Sequence, residues 1–347
     1  MRKSLFALVV FAWLSLLTIA CSDGENTHLP PKTFSKEILL PITPVKNQPD
    51  EKLGWLYAML ATIETERLAQ GDSVSLSPLY AVRQLLLELT SERFSISPDK
   101  RSISLEGTPS MLLHLLQNYG MVGFDAYRVP EGLDFKALCR RLEMLADAGS
   151  AHRDKPENIN RKALDIIDNS LGTPPRKVFL YGCEYTTHEF AHSICLPDDY
   201  QAITSFSNHK FFETFPLEIE ENHYGDSFFN LPIDSMISRI DNSLKTGHPV
   251  CWQGKITENN FSFKSGYAVT DDENHAVTQA ERNRLLVNRQ TRDYHSMAII
   301  GIAHDETGHK FYICKNSWGT DNRFGGLMYL SENFVRANTV AVLCRAV

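Results

Sequence analysis

Apolar residues recur at helical spacing through most of the first half of the chain. Trp55, Met59, Ile63 and Leu68 mark one face of residues 53–69, Glu64, Glu66 and Arg67 mark another, and Gly71 supplies a stop. Ser77-Pro78 opens a second helix that runs to about Leu89, and residues 91–107 read as a polar excursion. Met111 to Asn118 is a third helix, ended by Tyr119-Gly120, and residues 133–148 and 157–171 are two more amphipathic helices. After about residue 173 the pattern changes. Lys177–Tyr181, Pro249–Trp252, Ser296–Ala303, Lys310–Cys314, Leu327–Leu330 and Thr339–Cys344 read as strands, with a helix over 235–244. A helical half followed by a strand-rich half predicts an α+β fold with a cleft where the two meet.

Composition narrows the class. The 347 residues are 43% hydrophobic and 22% charged, with a net charge of −7. These values exclude a disordered chain and a multi-span membrane protein. The acidic balance argues against nucleic acid as a partner. The N-terminus stands apart. Arg2 and Lys3 precede a stretch, Leu5–Leu17, that is apolar apart from Ser15, and Thr18-Ile19-Ala20-Cys21 follows. This predicts a signal peptide over residues 1–20, too short for a transmembrane helix. A Cys directly after a small residue resembles a bacterial lipobox. That resemblance implies a lipid on Cys21, a polar tether over residues 21–35, and a protein anchored in the bacterial cell envelope. On the same resemblance, Ser22 directly after the Cys implies the outer membrane. The alternative is a plain secretory signal with an incidental Cys. The folded domain is then 36–347, helical to about 172 and strand-rich from 173. Its six Cys contain no C-x-x-C pair, and disulfides or buried free thiols both remain open.

Two segments carry candidate chemistry. In the first, Val45-Lys46-Asn47-Gln48 is followed six positions after Gln48 by Gly54-Trp55. In the second, His295-Ser296-Met297-Ala298 is followed by Lys315-Asn316-Ser317-Trp318-Gly319. Together they resemble papain-like cysteine peptidases. In that family a Cys at a helix N-terminus gains thiolate character from the helix dipole and a nearby imidazolium. A His serves as base and then acid, an Asn orients it, and a Gln donates to the oxyanion on the attacked carbonyl. The resemblance implies Gln48 as oxyanion donor, His295 as base and Asn316 as its orienter. Trp318 shields the His–Asn contact, and Trp55 and Trp318 flank the substrate cleft. The nucleophile position is Gly54, and neither Cys, Ser nor Thr lies between Gln48 and Trp55.

His295 lies 241 positions after Gly54, against roughly 130–150 in papain-type enzymes. The chain therefore carries an insertion of roughly 100 residues. Such a core resembles the aminopeptidase C and bleomycin hydrolase branch, as do Gly107–Val122, Pro197–Tyr200 with Thr204–His209, and Tyr294–Thr320. Three departures stand out: Gly54, Tyr294 before the His, and an apolar strand-like C-terminus where that branch can place an arm in the cleft.

Gly54 supplies no attacking atom, so the expectation is a degenerate peptidase that retains a cleft for a peptide or protein ligand. An active thiol aminopeptidase is the first alternative. The second rests on His188-Glu189-Phe190-Ala191-His192, which matches the H-E-x-x-H zinc pattern. The segment ends soon after at Pro197, so the reading preferred here is a solvated helical turn, with no metal and no cofactor. Phe211, Phe212, Phe215, Phe228 and Phe229 are dense enough to line a cleft, and the preferred reading is core packing between the halves.

Overall fold

The computed structural model describes residues 29–95, 102–256, 260–288 and 294–346. The signal peptide, Cys21 and the first part of the expected tether lie outside the described residues. The chain begins with β1 (Phe34–Leu39). It then passes through a 3-10 turn (Glu51–Leu53) into α1 (Gly54–Ala69), α2 (Pro78–Phe94), α3 (Pro109–Tyr119), α4 (Phe135–His152) and α5 (Pro156–Leu171). A hairpin of β2 (Lys177–Leu180) and β3 (Cys183–Thr186) leads into α6 (Thr187–Ile194). Next come β4 (Tyr200–Thr204), β5 (Thr214–Pro216), β6 (Ser227–Asn230), α7 (Ile233–Lys245) and β7 (Val250–Lys255). β8 (Phe261–Ser262), β9 (Tyr267–Ala268), α8 (Gln279–Asn288) and β10 (Tyr294–Asp305) follow. The last elements are β11 (Lys310–Lys315), β12 (Leu327–Ser331), α9 (Glu332–Asn338) and β13 (Thr339–Arg345).

One mixed sheet holds the strand-rich half in the order β5-β6-β4-β13-β7-β10-β11-β12-β9-β8, with β1 added along β10. The 12 residues of β10 make it long enough to pair with β7 at its start and β1 at its end, while β11 runs along the other side. α1 is buried on nearly every side, from Gly54 through Glu66, and it lies between the helical half and β10. Burial on all sides is why α1 lacks a clean amphipathic stripe. Its buried carboxylates, Glu64 and Glu66, are paired, Glu66 with His248 at 3.0 Å. Glu64, fully buried, accepts from Thr43 Oγ1 at 2.6 Å and the Leu76 amide at 2.7 Å, and binds Lys46.

The structure moves three expected boundaries. The tether to residue 35 is too long: Tyr267 Oη donates to the Pro30 carbonyl at 2.6 Å, Lys32 pairs with Asp305 at 2.6 Å, and Phe34 stacks on Tyr329 at 4.1 Å. Residues 29–35 are part of the domain. The helical half also runs past 172. Val178, Phe190, Ala191 and Ile194 pack into the same core as α1–α5, and the large sheet resumes only at β4. α2 continues to Phe94, its Thr90 hydroxyl buried by donating to the Leu86 carbonyl. Phe228 is fully buried, whereas Phe212 is 64% exposed at positive φ, so the five phenylalanines are not one packing cluster. All six described cysteines are free, and all but Cys183 are buried. Burial pushes the Cys139 thiol up to about 11 and the Cys344 thiol up to about 12, which keeps both protonated and unreactive.

Candidate active site

Three chain segments meet at the N-terminus of α1. The loop before the 3-10 turn is laced to the loop after β11. Gln48 N–H donates to the Ser317 carbonyl at 2.7 Å, and Gly319 N–H donates to the Lys46 carbonyl at 3.2 Å. Asn47 and Trp318 form a bridge between the same loops. β10 delivers His295 opposite Gly254 of β7. β11 ends just before Asn316, so that adjacent strands present the two side chains together.

His295 Nε2 lies 2.8 Å from Asn316 Oδ1. Because a carbonyl oxygen can only accept, Nε2 carries the proton and Nδ1 keeps its lone pair. Nδ1 faces Gly54: a Cβ built on Gly54 would lie 3.3 Å from it and 3.6 Å from Gln48 Oε1. Trp318 covers the imidazole at 4.5 Å between ring centroids, and Phe261 meets both rings edge-on. His295 is 4% exposed. Burial pushes its pKa down to about 4, and the bond to Asn316 opposes that shift. The imidazole is therefore neutral at pH 7. Asn316 Oδ1 also accepts the Ser317 amide at 2.8 Å, which fixes its orientation.

The expected residues converge, with two differences in role. Gln48 lies beside Gly54 but turns its carbonyl oxygen to that side. Its Nε2 donates to the Asp50 carbonyl at 3.0 Å and the Glu51 carbonyl at 3.1 Å, and its Oε1 accepts from Ser317 Oγ at 2.6 Å. Trp55 is 3% exposed and donates its indole N–H to the Leu105 carbonyl at 2.8 Å. It packs in the helical core rather than on a cleft wall. Ser317 and Gln253 were not singled out from the sequence. Gln253 Nε2 donates to the Gly107 carbonyl at 3.1 Å and ties β7 to the strand of chain before α3. The motif spacing could have drawn attention to Ser317; Gln253 carried no local signal.

The H-E-x-x-H segment forms α6, but its Glu189 and His188 are engaged with other parts of the chain. Glu189 and Thr186 form a reciprocal capping box, and His188 Nε2 donates to the Asn118 carbonyl at 2.9 Å. Among the described residues no group of three or more His, Cys, Asp or Glu is placed to hold a metal. β13 leads away from the site. Thr339 is level with Gly254, and Arg345 lies six residues further, roughly 20 Å along the strand. The Ala346 amide is held by the Asp199 carbonyl at 2.8 Å.

Residues 136–345 match the Peptidase C1-like family. The chain belongs to that family, and its fold is the papain-like α+β fold. It is 22% identical over 271 residues to aminopeptidase W of Lactobacillus delbrueckii subsp. lactis, an alignment covering 67% of this chain and 61% of that protein. The crystal structure of PepW from Lactobacillus rhamnosis HN001 superposes with a TM-score of 0.70 at 18% identity. That superposition covers 99% of this chain and 89% of the other.

Proposed function

We propose that this chain is a non-hydrolysing member of the Peptidase C1-like family. The observation that carries the reading is the atom missing between Gly54 and His295. Acyl transfer needs a thiolate whose sulfur electron pair attacks the substrate carbonyl carbon. The carbonyl π pair moves onto oxygen, and the amine leaves with a proton from the imidazolium. Here the His–Asn half of that device is in place, and Nδ1 faces a backbone Cα with no nucleophile. The backbone does not require glycine there: φ is −52° and ψ is −43°, ordinary helical values. Loss of the nucleophile in a related triad costs roughly 10⁶ in turnover.

The test is covalent trapping. The protein is mixed with a peptide p-nitrophenyl ester, quenched in acid and weighed intact beside His295→Ala. The expected result is that neither protein gains the mass of an acyl group. A His295-dependent acyl adduct on the native chain would overturn the reading.

The protein is further proposed to be a lipoprotein of the cell envelope, tethered through Cys21. The sequence of residues 1–21 supports this. Metabolic labelling with a palmitate analogue should mark the native chain and not Cys21→Ala. Label on both, or on neither, would contradict it. Among the described residues no helix is long and apolar enough to cross a membrane.

A further inference from the structure

The hydrogen-bond donors at the head of α1 converge on an atom of the chain itself. Gly54 N–H donates to the Glu51 carbonyl, and Gln48 Nε2 donates to that same oxygen at 3.1 Å. The other Gln48 N–H is used by the Asp50 carbonyl at 3.0 Å. In an acyl-transfer site, a backbone N–H at the helix start and a side-chain amide would both point to where a substrate oxyanion develops. The 3-10 turn Glu51–Leu53 sets this carbonyl in place. Asp50 caps the turn, its Oδ1 accepting the Lys52 amide at 3.0 Å. Leu53, 1% exposed, anchors its end in the helical core. Ser317 Oγ, donating to Gln48 Oε1 at 2.6 Å, keeps the Gln48 amide turned toward the turn rather than toward Gly54. Exchanging its N and O would set the amide oxygen against two carbonyl oxygens.

We propose that the Glu51 carbonyl is a built-in occupant of the oxyanion position, so that the site is closed in a second way, independent of the missing thiol. This deepens the non-hydrolysing reading and rests on it. The site's surroundings agree. Gln48 is 9% exposed, His295 4%, Asn316 2% and Gln253 2%, and the Gly107 carbonyl beside Trp55 is already taken by Gln253. A peptide carbonyl could bind here only by displacing that of Glu51, which requires the turn to open.

The experiment separates thiol chemistry from oxyanion stabilisation. Gly54→Cys supplies a sulfur on an ordinary helical backbone, next to His295. Alkylation by iodoacetamide needs a reactive thiolate but no oxyanion donors, whereas hydrolysis of a fluorogenic aminoacyl amide needs both. Two further proteins are compared: Gly54→Cys with His295→Ala, and Gly54→Cys with Asp50→Ala, which removes the cap of the turn. Peptide mapping distinguishes the new thiol from exposed Cys183, and a thermal melt confirms that each variant folds. The expected result is His295-dependent alkylation of Gly54→Cys with turnover at background. Adding Asp50→Ala should then raise turnover at least 10-fold while leaving alkylation unchanged; two working donors are worth roughly 10²–10³ each. Turnover by Gly54→Cys alone that Asp50→Ala does not increase would overturn the proposal. So would alkylation that ignores His295, because the block would then lie at the base. Activity of the native chain would instead defeat the underlying reading.

Discussion

His295 Nδ1 and Gly54 face each other at a distance that leaves room for one side chain, 3.3 Å from a Cβ that is not there. Everything behind the imidazole is built to hold it: Asn316 on Nε2, Trp318 over one face, Phe261 at the edge. On the proposed reading these groups are an orienting apparatus around a position that offers no nucleophile.

That neutral imidazole should be visible by titration. Burial holds the His295 pKa at about 4 against an ordinary 6.5. Its ring resonances in an NMR titration should therefore not move between pH 8 and 5.5, while those of free histidine added to the sample shift. The unfolded chain binds a proton at this residue below pH 6.5 and the folded chain does not until about pH 4. Stability is thus full above pH 6.5 and falls with pH through the 6.5-to-4 window, by up to about 3 kcal/mol. Urea midpoints for the native chain and His295→Phe should differ in slope only in that window. Parallel profiles would contradict the assignment.

Two glycines should respond in opposite ways to alanine. Gly54 has helical dihedrals, and a Cβ there approaches no backbone atom closely, its tightest contact being His295 Nδ1 at 3.3 Å, so Gly54→Ala should leave stability within about 1 kcal/mol of the native chain. Gly120 sits at φ 81°, and a Cβ there would lie 2.3 Å from the Thr187 carbonyl carbon. Gly120→Ala should cost roughly 1–3 kcal/mol by forcing α6 off the end of α3. Thermal melts of the pair check this. Equal losses would mean that Gly54 is held for the fold rather than lost from the chemistry.

Beneath the site, Glu64 is the only counter-charge the described residues place against both Lys46 and Lys315. Burial pushes Lys315 down to about 8, and Glu64 opposes that shift. Glu64→Gln leaves two largely buried ammonium groups without their carboxylate. It should destabilise by about 3–5 kcal/mol in urea unfolding at pH 7. A loss under 1 kcal/mol would show the cluster to be hydrated and weak.

Much of this was legible from residue order because the signals were local. The helical stripes of α4 and α5, the apolar run of β10 and the motifs around Gln48 and Asn316 each lie within one short stretch of chain. What stayed hidden depended on partners distant in sequence. Residues 29–35 read as polar tether because few of them are apolar; the Tyr267–Pro30 bond, the Lys32–Asp305 pair and the Phe34–Tyr329 stack hold them. Trp55 follows the motif's form, yet Gly107 lets its ring sink into the core. The direction of the Gln48 amide is set by Ser317, 269 positions away. The helical half extends past residue 172 because Phe190 and Ile194 pack on helices formed far earlier in the chain.

The most direct test of the account is peptide turnover by the native chain, measured under reducing conditions on fluorogenic aminoacyl and dipeptidyl amides, beside His295→Ala. The account predicts that the two proteins give the same rate as buffer. Turnover by the native chain that His295→Ala abolishes would contradict it, because it would require a nucleophile at a position where Gly54 offers none.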